Sequence, residues 1–292
     1  MDSLTYKNIK SDVRDKAILI VMLFIMLGTG IIARIPFYKL ILFLYVQINV
    51  IFLSGQNIRE LLKINYRNRL SNIFTSYAIG YAVTLSLYLI TLIMTVPKVS
   101  IVIAYVISII NLIIAVANFK GKDNIGTWNE VDQWIALAAF LLTCIIMFFC
   151  FQARLFSAEI TGYVYMHPDD QFWFKEAVEG TRTIPMPDFS ISGVSRYYHY
   201  FSGAWCSFLH YLTGIEIFDV CYSLSWVGDL FLLIGGIYIL FVEASIKDKY
   251  LVIAFIAILL TTGMQSSTLT FYINHLYATH FGFLPGYAMG LY

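Results

Sequence analysis

Long apolar runs separated by short polar connections are the feature that most constrains this chain. A helix needs about 20 apolar residues to cross about 30 Å of hydrocarbon. A bilayer offers no partner to an unpaired backbone group, so such segments cross as helices. We therefore predict an all-α, polytopic transmembrane protein with about seven full spans and a partial eighth that begins near Phe281. The seven are 17–33, 37–53, 74–96, 101–118, 133–151, 221–242 and 250–263.

Composition also indicates a membrane protein, with the lipid bilayer as a predicted partner. The chain is 59% hydrophobic and 13% charged, whereas soluble domains are about one quarter charged. Its basic residues fall in short clusters between apolar runs, and the net charge is +1, so no nucleic acid is predicted as a partner. No small-residue cleavage site follows the first run, which we interpret as a retained span that forms a hairpin with the second at Pro36.

Lysine and arginine in the connections predict the orientation. If the N-terminus is cytoplasmic, the inner connections hold twelve of these residues and the short outer ones hold three. The loop 152–220 is then extracytoplasmic. This count requires that 201–212 does not cross the membrane. That stretch is short, contains His210 and is bounded by Gly203 and Gly214, so we interpret it as an interfacial helix on the outer surface.

The outer loop contains an acidic pair, Asp169 and Asp170, directly after His167 and Pro168. Adjacent carboxylates repel each other, which favours a proton on one of them and makes the pair a candidate general base. His167 could orient one carboxylate or join both as a ligand of a divalent cation. The alternative is that the two carboxylates only keep the loop hydrated.

Basic and histidine residues near the acids are candidate substrate-binding groups. Lys175 and Arg182 follow the pair, and Arg196 stands just before an aromatic stretch that contains His199. A guanidinium group matches phosphate oxygens with paired hydrogen bonds, which indicates binding of a lipid phosphate. The alternative is an arginine that extends from an aromatic belt to the headgroups.

A second polar stretch follows residue 264 and would also face outward. His275 and His280 lie within it, five residues apart, which is not the spacing of a helical metal pair. Two interpretations are open: the stretch closes over the same site, or it is a surface loop with helix caps. Asp229 lies within the span 221–242, and we interpret it as a polar contact between helices.

The stretch from His199 to Gly214, HYFSGAWCSFLHYLTG, resembles a segment of the GT-C superfamily of membrane glycosyltransferases. The resemblance covers residues 133–292 and implies transfer of a sugar from a polyprenyl-phosphate donor to an acceptor at the extracytoplasmic face. It implies that Asp169 or Asp170 deprotonates the acceptor hydroxyl, and that Arg196 and His199 lie near the donor phosphate.

The resemblance also implies two regions. Residues 1–132 form an N-terminal four-helix membrane region, and 133–292 form a core that we expect to be incomplete at its C-terminus. Tyr200 and Phe201 stand where the family has prolines. The implied location is the cell membrane of a bacterium or archaeon, and the sugar and acceptor are not identified.

Two other functions compete with the glycosyltransferase. One is a non-catalytic or degenerate membrane assembly subunit, in which both acids are dispensable. The other, less favoured, is a transporter, which should hold ionisable groups at mid-membrane and show symmetry between its halves. Asp229 is the one such group, and no repeat is evident.

Overall fold

The computed structural model describes residues 17–64, 66, 69–117, 134, 136–138, 140–141, 144–145, 168–182, 184 and 200–243. Every regular element in these ranges is a helix, which confirms the all-α prediction for this part of the chain. The predicted span 250–263 and the run from Phe281 lie outside the described residues. Within the predicted fifth span, the described residues are helical.

Besides the helical residues of the predicted fifth span, seven helices have described bounds. We number them α1 (Ala17–Ile32), α2 (Phe37–Leu61, π-helical over Val46–Leu53), α3 (Arg69–Ile93), α4 (Val99–Ala117), α5 (Pro168–Glu179), α6 (Tyr200–Thr213) and α7 (Ile217–Asp219, a π-helical turn Val220–Leu224, then Ser225–Glu243).

Four of these helices are long and apolar enough to cross a membrane, so the chain is an integral membrane protein. They are Phe37–Leu61, Arg69–Ile93, Val99–Ala117 and Ile217–Leu240. α1 is a shorter apolar helix, with 16 described residues. Of the seven predicted full spans, the described residues therefore support four.

The predicted hairpin between the first two helices is confirmed. α1 ends at Ile32, and Arg34 then adopts a left-handed conformation with φ 57° while the N–H of Ile35 donates to the Gly30 carbonyl at 3.0 Å. Pro36 directly precedes α2, where its fixed φ suits a helix start. A side chain at Gly30 would meet Leu40, so the glycine permits the close return.

α2 continues to Leu61, eight residues beyond its predicted end. The added turns are polar, and Arg59 is buried among them. Its guanidinium donates to Ser76 Oγ at 2.9 Å and to Asn72 Oδ1 at 2.9 Å, both on α3. Because these groups satisfy the arginine inside the protein, the helix extends past the apolar run.

The core forms where α3 packs between α2 and α7. Phe74 and Tyr77 of α3 contact the ring of Phe231 of α7, with ring centroids 4.8 and 5.1 Å apart. On the other side, Gly55 of α2 and Gly80 of α3 bring the two backbones into contact. Small residues at such crossings allow close packing of membrane helices. α3 is thus the central helix of the described bundle.

Candidate functional site

The acidic pair lies in the first turn of α5. Pro168 is the first residue of this helix, and Asp169 and Asp170 follow it. Proline suits the first helical position, and carboxylates near a helix N-terminus are stabilised by its dipole. The sequence predicts a loop here, because the segment is polar and follows an apolar run. The Pro-Asp-Asp start was the signal that could have indicated the helix.

The C-terminal end of α5 is fixed to the membrane helices by two tyrosines. The hydroxyl of Tyr88, on α3, donates to the carbonyl of Gly180 at 2.7 Å. The hydroxyl of Tyr211, on α6, donates to the carbonyl of Thr181 at 2.7 Å. Gly180 and Thr181 lie in the turn that directly follows α5, and these bonds satisfy carbonyls that would otherwise need water. They attach the acidic helix to α3 and α6 together.

α5 and α6 pack with their backbones in close contact. A Cβ added at Gly203 would lie 2.8 Å from the carbonyl carbon of Glu176 and 3.0 Å from the nitrogen of Ala177. Ser207 donates from its hydroxyl to the Ala177 carbonyl, one turn further along α6. Glycine and serine therefore allow the two helices to approach and hold them together.

The location of α6 differs from the predicted surface helix. An amphipathic helix on the membrane surface would keep one face exposed. Instead, residues 203–209 are all buried, because α5 covers one side and α3 the other. The Trp205 ring stacks on the Tyr81 ring of α3 with centroids 3.9 Å apart. α6 is therefore part of the bundle's core.

Glu176 is a further carboxyl of α5, and it lies inside the α5–α6 contact. Glu176 is 1% exposed and stands two helical turns after Asp169, so the two positions share one face of α5. Glu176 is not among the site residues predicted from the sequence. Its spacing of seven from Asp169 was the available signal.

The two described basic candidates lie on the exposed side of this segment. Lys175 is exposed on α5, and Arg182 lies in the turn after it with its side chain 68% exposed. Arg182 Nη1 is 3.6 Å from Glu179 Oε1, a surface ion pair of small energetic weight. The structure thus brings Lys175 and Arg182 onto the same short segment as the acidic pair.

The remaining candidate site residues are not among the residues that the structure describes. They are His167, Arg196, His199, His275 and His280, and all lie outside the described residues. Their roles stay predictions. Within the described ranges, no three histidine, cysteine or acidic side chains are grouped as metal ligands would be. The divalent cation also stays a prediction.

We predict that Tyr88→Phe loosens α5 from the bundle. The substitution keeps the ring but leaves the Gly180 carbonyl without its donor, a loss of about 1 kcal/mol. Local opening should rise about fivefold, and trypsin should cleave after Lys175 and Arg182 faster by a similar factor. Tyr105→Phe is the matched control, because Tyr105 is 51% exposed on α4. Equal cleavage rates in wild type and Tyr88→Phe would show that this bond does not hold α5.

Comparison with known proteins adds no relative. No protein-family model matches the chain, and neither a curated protein nor a solved structure is similar to it. The resemblance to the GT-C superfamily therefore remains a prediction from the sequence.

Proposed function

We propose that this membrane protein transfers a sugar from a polyprenyl-phosphate donor to an acceptor at the extracytoplasmic face, with Asp169 or Asp170 as the base. The observation that supports this is the attachment of α5. The acidic pair begins a helix whose other end is bonded to α3 and α6. Catalytic groups need to be held in place, and helices packed on a scaffold hold them better than loops.

In the proposed reaction, one carboxylate accepts the proton of an acceptor hydroxyl. The hydroxyl oxygen forms a bond to the anomeric carbon of the sugar, and the bond between that carbon and the phosphate oxygen breaks. Polyprenyl phosphate leaves with the bonding electron pair, so its negative charge increases. Lys175 and Arg182, with Arg196 and His199, are proposed to stabilise that charge.

A non-catalytic assembly subunit is the second candidate, and one observation favours it. Proline followed by two aspartates is good chemistry for starting a helix, whatever the helix does. In that case the acids stabilise α5, and α5 serves as a contact surface. The two functions differ in whether any sugar is transferred.

Sugar transfer can be measured in membranes that contain the full native protein. A panel of polyprenyl phosphates carrying radiolabelled sugars is supplied, and label leaving the lipid fraction is counted. Membranes without the protein are the control. Protein-dependent release to an acceptor supports the transferase. Intact donors across the panel, with the protein present and folded, would favour the assembly subunit.

We predict that the segment between α5 and α6 is extracytoplasmic. In a chain without its native cysteines, Ser192→Cys should react with a membrane-impermeant maleimide on intact cells, since the lysine and arginine bias puts this segment outside. Asn124→Cys, in a predicted inner connection, should react only after lysis. The reverse pattern would invert the topology and remove the outer-face donor from the proposal.

A further inference from the structure

A carboxyl group is buried at the middle of the last described span. Asp229 stands near the centre of the segment Ile217–Leu240 and is 4% exposed. Its Oδ1 atom has no hydrogen-bond partner among the described residues. The sequence predicts a polar contact between helices at this position, and Oδ1 does not make one with the described residues.

One neighbour of this carboxyl is Tyr81, a tyrosine of α3. The hydroxyl of Tyr81 interacts with the Asp229 carboxyl. Neither that hydroxyl nor Oδ1 reaches ordinary hydrogen-bonding geometry with a described group. Both side chains are buried, so the Tyr81 hydroxyl and Asp229 Oδ1 are both held in the protein interior.

The other titratable groups around Asp229 are weak acids. Tyr77 of α3 and Cys221 of α7 interact with the carboxyl, and Cys206 of α6 adjoins Tyr81. α1, which packs on α7, has no titratable side chain between Ala17 and Ile32. Within the described residues, no lysine or arginine pairs with Asp229. Among the described residues, the surroundings therefore supply hydroxyl and thiol groups but no positive charge.

An ionised carboxylate at this depth would be an uncompensated charge in an apolar medium, which is the most costly state available to it. A proton removes the charge and makes the carboxyl a hydrogen-bond donor to the phenol oxygen of Tyr81. We propose that Asp229 and Tyr81 form a proton-binding site at mid-membrane, in which the carboxyl holds a proton shared with the phenol oxygen.

Packing favours a proton over a larger ligand. The Trp205 ring lies on the Tyr81 ring with centroids 3.9 Å apart. At Gly228, beside the carboxyl in sequence, an added Cβ would meet the Tyr77 hydroxyl at 2.7 Å. A proton needs no additional volume between such groups. This site is independent of the proposed sugar transfer, because neither Asp229 nor Tyr81 lies on α5.

Infrared difference spectroscopy on the purified full chain tests the site. Near neutral pH, subtracting the Asp229→Asn spectrum from wild type should leave the carbonyl stretch of a carboxylic acid, and this band should shift in heavy water. Glu216→Gln is the control, because it removes an exposed carboxyl and should change carboxylate bands instead. Carboxylate bands in the difference between wild type and Asp229→Asn would show an ionised Asp229 and would overturn the proposal.

A second variant keeps the test decisive if Asp229→Asn does not fold. Tyr81→Phe keeps the ring that packs against Trp205 and removes only the phenol oxygen. The acid carbonyl band should move to higher frequency, because the phenol oxygen that shares the proton in the proposed pair is gone. A band unchanged by Tyr81→Phe would show that the proton is not shared with this tyrosine, which contradicts the proposed pair.

Discussion

Replacing Gly55 by alanine is expected to destabilise the membrane bundle severely. A Cβ at this position would lie 1.7 Å from the Ser76 carbonyl oxygen and 2.5 Å from the Gly80 nitrogen of α3. Both are backbone atoms, which cannot rotate away as a flexible side chain would. The α2 and α3 helices must then separate along their whole contact, at a cost of about 3 kcal/mol or more. The thermal unfolding temperature in detergent should fall accordingly.

Gly28→Ala provides the matched control for this prediction. Gly28 also lies within an apolar helix, α1, but an added Cβ there meets nothing within 4 Å. The same chemical change should leave the unfolding temperature unchanged or raise it slightly, because alanine favours helices over glycine. Equal unfolding temperatures for Gly55→Ala and Gly28→Ala would contradict the close α2–α3 contact.

Apolar length predicted the described spans well but not where they end. The hairpin at Pro36 and the helices α3 and α4 agree with the prediction within a few residues. The end of α2 does not, because Arg59 is polar and finds its partners on α3, 13 and 17 residues away. Hydropathy treats such a residue as facing water, whereas the fold satisfies it inside.

α6 illustrates the same limit at the candidate site. Its predicted bounds, 201–212, agree closely with Tyr200–Thr213. Its location was predicted differently, because its short length, His210 and the glycines Gly203 and Gly214 indicated a helix on the outer surface. In the structure, His210 Nδ1 is 2.6 Å from the Ile215 carbonyl, and Ser207 bonds to the backbone of α5 and α6. Local partners of this kind allow a polar helix to be buried.

The attachment of the acidic helix could not be predicted from the sequence. Tyr88 and Gly180 are 92 residues apart, and their hydrogen bond exists only once α3, α5 and α6 have packed. What the sequence does indicate is the chemistry, since Asp169 and Asp170 were selected as candidates without any knowledge of their helix. Whether this chemistry is used is the question that decides between the two proposed functions.

Replacing Asp169 and Asp170 together by asparagine is expected to abolish sugar transfer. Asparagine keeps the shape of each side chain but cannot accept the proton of the acceptor hydroxyl, a function that typically contributes about 10²- to 10⁴-fold in rate. The fold should be nearly unaffected, since loss of a favourable carboxylate at a helix start costs about 0.3–1 kcal/mol each. Activity and stability should therefore separate.

Glu216→Gln is the matched control, because Glu216 is an exposed acid that directly precedes the first residue of α7. The decisive measurement is the rate at which radiolabelled sugar leaves its polyprenyl-phosphate donor in membranes holding equal amounts of folded wild type, the double variant or this control. We expect the double variant to lose at least about 100-fold in rate while the control keeps the wild-type rate. Transfer by the double variant at the wild-type rate would contradict the proposed catalytic role of the acidic pair.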